Sequence, residues 1–360
     1  MTQEQNFVIS PEDLTALAEE IFKQAGVGET DARIVALSLV EANLRGTDSH
    51  GVLRIENYIK RLKLGGAQAR PEYRQLRETA ATIVLDADEG LGAPVSNHAC
   101  QLIRAKALKN DLAFGVVRNS NHFGAASRWA LLLSGDNMIG FCGSNVEVLM
   151  AAIGGKARAI GNNPLAVAVP AGAYEAVCLD MACSVVALGK ALEYQHQKLS
   201  MPLGWFYDAE GQDTTDPFQA ILAVPFGGHK GFGIAVIIEL LSSLLAGGAF
   251  GGQINSMYGA VEKPNRLSHY FGAIRIEAFR ELAEFKTDVD AFLDGLKNSP
   301  RKAGVSEIFY PGEIEAGKKA ANAQKGVILP ASVALELTEI ARDLNVDQKY
   351  SRALTARPVA

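Results

Sequence analysis

Between residues 81 and 142, short apolar runs of strand length alternate with stretches of helical periodicity, and this alternation restricts the chain to architectures in which helices cover a sheet. Ala81-Thr82-Ile83-Val84-Leu85 is a β-rich run that closes on the turn-forming residues 86–90. Helical periodicity over 95–107 follows, then the apolar run 112–117, a second helical pattern around 126–133, and the run 138–142. Units of this kind predict an α/β sheet with crossover helices.

The chain before this region reads as mainly helical. Ser10, Pro11 and Asp13 provide an N-cap, an N1 proline and a first-turn acid, and Leu14, Leu17, Ala18, Ile21 and Phe22 form one apolar face that ends near Gly26. A second helix after Thr30, with Ile34, Leu37, Val40 and Leu44 at helical spacing, delivers the chain into a loop at 45–54; a short helical pattern over 55–64 follows. The organisation expected is a helical N-terminal segment over 1–80, an α/β region over 81–230, and a core helix, strands and a closing C-terminal helix over 231–360. In that last part, 274–276 reads as a strand, 287–296 as a helix, the stretch from Pro330 to Leu344 as the closing helix, and 350–360 as loose. Residues 205–216 read as a hairpin, and Trp129, Trp205 and the phenylalanines as core.

Composition sets limits on function. A chain of 360 residues that is 48% apolar can bury a large core, and 35 basic against 40 acidic side chains, with no block of like charge, favour neither nucleic acid nor a membrane surface as partner. The apolar stretch 234–245 is interrupted by Glu239, Ser242 and Ser243, so a buried core helix is expected rather than a membrane span. Cys100, Cys142, Cys178 and Cys183 show no Cys-x-x-Cys spacing, and residues 1–7 lack the basic start and apolar run of a signal peptide. Buried thiols and a cytoplasmic location are expected.

The densest chemistry lies in Arg45-Gly46-Thr47-Asp48-Ser49-His50-Gly51-Val52-Leu53-Arg54. His50 exchanges a proton near neutral pH, Ser49 orients a ring or bonds a substrate oxygen, and a guanidinium grips a carboxylate bidentately. Such a set suits a small carboxylate whose neighbouring oxygen gains or loses a proton. Three further clusters stand out. Residues 119–127 combine His122 and Gly124 at a strand-to-helix junction, where open backbone N–H groups suit a phosphate. Asp180 interrupts the apolar run 177–183, downstream of Gly161-Asn162-Asn163-Pro164, and calls for a ribose hydroxyl, a backbone amide or a histidine as partner. Residues 225–233 set the pair His229-Lys230 among four glycines, a backbone suited to wrapping an anion.

Competing motifs fail on their own terms. Gly90-Leu91-Gly92-Ala93-Pro94-Val95 lacks the third glycine of a dinucleotide fingerprint, and Gly189-Lys190-Ala191 lacks the elements of a P-loop. A serine hydrolase built on Ser49 would need glycine where Thr47 stands. No metal-ligand spacing occurs, and six ordered polar motifs argue against a non-catalytic binding module.

Taken together, residues 45–54, 119–126, 161–164, 179–182 with Gly189-Lys190, 229–233 and Tyr310-Pro311-Gly312-Glu313 resemble the malate/L-lactate dehydrogenase family of the non-Rossmann type, over about residues 9–344 and in the same order. That family also includes ureidoglycolate, sulfolactate and hydroxycarboxylate dehydrogenases, diketogulonate reductase and cyclic-imine reductases. The resemblance implies a homodimer, a mixed-sheet α/β fold without a Rossmann domain, and NAD or NADP as cofactor. It implies His50 as acid/base with Ser49 beside it, Arg54 on the substrate carboxylate, and cofactor contacts from His122, Phe123, Gly124, Ala125, Ala126, Cys178, Leu179, Asp180, Met181, Ala182, His229, Lys230, Gly312 and Glu313. His122 is the alternative acid/base. Lys190 matches the hydroxy-acid dehydrogenases, whereas the imine reductases carry an acid there. The activity implied is hydride exchange between a nicotinamide and a small 2-hydroxy or 2-oxo acid, with cyclic-imine reduction as the alternative.

Overall fold

The computed structural model describes residues 6–355 and 358–359; the reading of the first five residues lies outside this range. The helical start is confirmed. α1 (Pro11–Gln24) opens on Ser10, whose hydroxyl accepts from the Asp13 amide at 3.0 Å, and it buries the five apolar residues of the expected face. α2 (Glu29–Leu44) packs along it, and α3 (Ile55–Leu64) follows the loop between them and the sheet.

The centre is a seven-stranded mixed sheet in the order Arg74–Glu78, Thr82–Asp86, Leu112–Ser120, Leu267–Arg275, Met138–Ser144, Leu165–Val169, Val177–Met181. Its second and third strands run parallel, joined across one face by α4 (Gly92–Asn110), as the alternation predicts; the remaining neighbours are antiparallel. α4 and α5 (Ala126–Ser134) cover the face that carries Ala113, Val117, Phe271 and Ala273. The intervening side chains Val116 and Tyr270 enter a second core on the opposite face with Met150, Ile160, Ala235 and Ile238. Alternation along each strand thus feeds two cores.

The middle strand differs most from the sequence expectation. It spans Leu267–Arg275, whereas only 274–276 reads as a strand, and residues 276–278 form a 3-10 turn. Ser268, His269 and Gly272 break the usual strand composition. The polar ring is tolerated because its two nitrogens meet Ser120 Oγ and Ser144 Oγ, each at 2.8 Å, from the flanking strands.

Beyond the sheet, the hairpin expected near 205–216 is present as Phe206–Tyr207 against Asp213–Thr214, ahead of which lies α6 (Leu188–Gln197). α7 (His229–Glu239) corrects the expectation of a buried core helix. It runs into a π-helical turn at Leu240–Leu244, and the inward residues are Ala235, Ile238, Glu239, Ser242 and Ser243, while Ile234, Ile237, Leu240, Leu241, Leu244 and Leu245 are exposed. Glu239 is held inside by Asn163 Nδ2 at 2.7 Å and the Gly251 amide at 3.0 Å. Among the described residues no helix is long and apolar enough to cross a membrane.

α8 (Leu282–Lys297), α9 (Glu313–Lys325) and α10 (Ala331–Asp343) complete the C-terminal part, the last matching the expected closing helix. The tail is not loose where it is described. α11 (Gln348–Thr355) seats Leu354 in the core, and 358–359 pair with the strand Asn6–Ile9. Trp129 is fully buried and Trp205 half-buried against Tyr194, but Phe218, Phe279 and Phe292 are exposed, against expectation. All four cysteines are buried free thiols.

Candidate active site

The loop after α2 is folded around one buried amide. Asn43 Nδ2 donates to Asp48 Oδ1 at 2.7 Å, and Asn43 Oδ1 accepts from the Val52 amide at 2.9 Å. Gly51 lies so close that an added Cβ would meet that amide at 2.3 Å, so a side chain is excluded there. Two 3-10 turns, Asp48–His50 and Val52–Arg54, result. They place Ser49 Oγ 3.0 Å from His50 Nδ1 and let Arg54 Nε donate to the Ser49 carbonyl at 2.6 Å.

Arg54 stands one turn before Tyr58 on the same helical run, and this residue was missed by sequence reasoning. The buried Tyr58 hydroxyl meets His122 Nδ1 at 2.6 Å, at the end of the Leu112–Ser120 strand. The His122 and His50 rings face each other with centroids 5.3 Å apart. Ser49, His50, Arg54 and His122 are therefore gathered in one place from two distant segments.

Electrostatics keep both imidazoles neutral. Burial, and then the Arg54 guanidinium, lower His50 to about 4; burial lowers His122 well below its ordinary value, with His50 and Arg54 adding repulsion. Burial raises the Tyr58 phenol. The phenol thus stays protonated, and with the phenol as donor to Nδ1 the His122 proton sits on Nε2.

The fully buried His269, lowered by burial to about 3 from 6.5, makes stability acid-sensitive. Its folded form stays neutral while the unfolded chain takes up a proton below 6.5, so its contribution is complete above that pH and is lost as pH falls toward 3. Urea titrations are expected to show a loss of about 2 kcal/mol from this residue between neutrality and roughly pH 5.

The remaining site residues form a second group. Phe123 stacks on His269 with centroids 4.6 Å apart, Gly124 has φ +83°, and Ala125 and Ala126 open α5. The α5 N-terminus is not open to a phosphate as expected: Asp180 Oδ2 accepts from the Ser127 amide at 2.8 Å. Desolvation raises the pKa of that carboxyl, the Ser127 contacts opposing and Glu315 adding to the rise. Gly312, at φ +90°, lies against the Cys178 backbone, whose amide donates to the Pro311 carbonyl at 2.8 Å. Glu313 pairs with Lys297. Leu179 is exposed, Met181 and Ala182 are half-buried, and the Cys183 carbonyl accepts from Phe226 at 3.0 Å, which brings the 225–231 turn to this strand. There His229 and Lys230 begin α7, exposed and without a side-chain cap. Lys190 is engaged with Glu193 of its own helix at 2.8 Å.

Comparison with known proteins identifies the family. The sequence profile of the malate/L-lactate dehydrogenase family matches residues 9–338. The chain is 37% identical to the L-sulfolactate dehydrogenase of Methanocaldococcus jannaschii over 94% of its own length and 98% of the relative's. The solved structure of that enzyme superposes with a TM-score of 0.89, covering 95% of this chain and 99% of the other. The malate dehydrogenase of Pyrococcus horikoshii is 34% identical over 96% and 98%, and the ureidoglycolate dehydrogenase (NAD(+)) of Escherichia coli K12 is 31% identical over 89% and 91%. On sequence and on fold alike, the chain belongs to the malate/L-lactate dehydrogenase family.

Proposed function

We propose that this protein is an NAD(P)-dependent dehydrogenase of small 2-hydroxy acids, working reversibly on the corresponding 2-oxo acids. The observation that carries the reading is the meeting of two neutral imidazoles and a guanidinium around one point. Arg54, its Nε already given to Ser49, offers its terminal amino groups to the substrate carboxylate. His50 removes the hydroxyl proton in oxidation and returns it in reduction, with Ser49 fixing the ring at Nδ1 and leaving Nε2 for the substrate. His122, held by Tyr58, orients the substrate oxygen through its Nε2 proton. A carboxylate beside Arg54 offsets the charge that repels a proton from His50, so substrate and proton bind together.

The nicotinamide supplies or accepts the hydride when bound. The residues present fit such a cofactor: the uncapped start of α7 with exposed His229 and Lys230, and Gly227 and Gly228 at positive φ, suit its phosphates. Asp180, Met181, Ala182 and Gly312 line the adjoining strand and loop. A homodimer goes with the exposed apolar face of α7 and the turn that follows it, which leaves Ile234, Ile237, Leu240, Leu241, Leu244 and Leu245 in contact with solvent. Four free thiols accord with the cytoplasm.

Purified protein is expected to consume NADH or NADPH with at least one open-chain 2-oxo acid, followed by loss of absorbance of the reduced nicotinamide. Turnover confined to cyclic imino acids would transfer the protein to the reductase branch, and silence with both classes would overturn the reading.

A further inference from the structure

Arg61 is a buried cation whose partners are not carboxylates. The residue is 2% exposed. Nη2 donates to the Gly66 and Lys263 carbonyls at 2.8 and 2.9 Å and to Asn121 Oδ1 at 3.0 Å, while Nη1 reaches the Met257 and Ala260 carbonyls at 3.4 Å each. Burying a guanidinium among neutral carbonyls is costly unless the groups are held in place by it. Two of the segments that supply them, at Asn121 and at 257–263, border the candidate site. Asn121 directly precedes His122, and its Nδ2 is anchored on the Glu89 and Gly90 carbonyls at 2.7 and 3.0 Å. The 257–263 turn carries Tyr258, whose half-exposed ring lies over the Arg54 guanidinium, 5.5 Å from the ring centroid. Asn57 Nδ2 adds a second tie to the Met257 carbonyl at 3.2 Å.

We propose that Tyr258 is a substrate-contacting residue that walls the carboxylate site over Arg54, and that Arg61 is the positioning residue that holds its turn there. The proposal rests on the 2-oxo acid reading given above. With Nε given to Ser49 and the ring centroid 5.5 Å from the guanidinium carbon, an anion gripped by the terminal amino groups of Arg54 comes within reach of Tyr258. The ring shields the guanidinium from water on one face, which strengthens its hold on a carboxylate. A ring at this place also limits the bulk that the acid can carry next to its carboxylate.

The test measures steady-state turnover of a short and a branched 2-oxo acid, together with the affinity for reduced nicotinamide by fluorescence. Tyr258→Ala is expected to raise KM for the short acid about 10-fold and to narrow the preference over the branched acid, with kcat and cofactor affinity within about twofold of wild type. Tyr258→Phe is expected to restore the wild-type values, because the ring and not the hydroxyl makes the contact. Arg61→Lys is expected to reproduce the KM change of Tyr258→Ala, and the double variant to be no worse than Arg61→Lys alone. Unchanged KM in Tyr258→Ala, or additive effects in the double variant, overturn the proposal. Where Arg61→Lys fails to fold, the exposed substitutions at Tyr258 decide. Wild-type silence with every 2-oxo acid defeats the underlying activity, whereas wild-type turnover with unchanged KM in Tyr258→Ala defeats only the proposal.

Discussion

His50→Ala is expected to lower turnover by about 10²- to 10⁴-fold, the range for loss of an acid/base group, while the affinity for reduced nicotinamide survives. The expectation follows from position and charge together. His50 follows Ser49, which holds its ring at Nδ1, and the Arg54 guanidinium is the second cause of its lowered pKa. In the proposed mechanism, proton transfer at the oxygen on the carbon next to the bound carboxylate falls to it. In the proposed mechanism His122, held by Tyr58, only orients the substrate oxygen, so His122→Ala is expected to cost less in turnover than His50→Ala. Full activity in His50→Ala combined with collapse in His122→Ala would exchange the two roles.

Arg54→Ala is expected to reduce kcat/KM by about 10²- to 10³-fold, mostly through KM, because a charge-assisted, two-pronged grip on the carboxylate is lost. A second effect has a definite sign. The guanidinium lowers the His50 pKa, so its removal raises that value, and the acid limb of the kcat/KM profile for hydroxy-acid oxidation moves to higher pH. Arg54→Lys keeps the charge but loses the fork, and is expected to retain the position of the limb while KM still rises. A profile unmoved in Arg54→Ala would mean that burial alone depresses His50.

Sequence carried the parts of this site that are contiguous. Ser49, His50 and Arg54 are legible because they share one turn, and the helix that follows them was read with its observed bounds of Ile55–Leu64. Tyr58 sits on that helix and was passed over, because an aromatic at helical spacing reads as core and only the fold brings His122 to it. Arg61 and Tyr258 lie about two hundred residues apart in sequence, and no local pattern ties them. The same limit hid the Leu267–Arg275 strand: a histidine between two serine-bearing strands looks polar until its neighbours are known. Asp180 is legible as a charge in need of a partner, and a backbone amide is among the partners its sequence calls for, but that amide, of Ser127, opens a helix end expected to meet a phosphate. The polar interruptions of the α7 run argue against a membrane span, and hydropathy alone does not tell that its serines and Glu239 face inward.

The middle strand also governs the order in which the protein can be made. During synthesis the ribosome releases residues 112–120 and 138–144 long before 267–275, and those two strands have no direct pairing with each other. Until the late strand arrives, each presents an unsatisfied edge, and the nascent sheet exists as two separate pieces. Closure joins positions more than a hundred residues apart, a slow, entropically costly step. A chain stopped before residue 267 would leave Ser120 and Ser144 facing a gap in place of His269, so nascent chains of that length are where chaperone dependence and aggregation should concentrate.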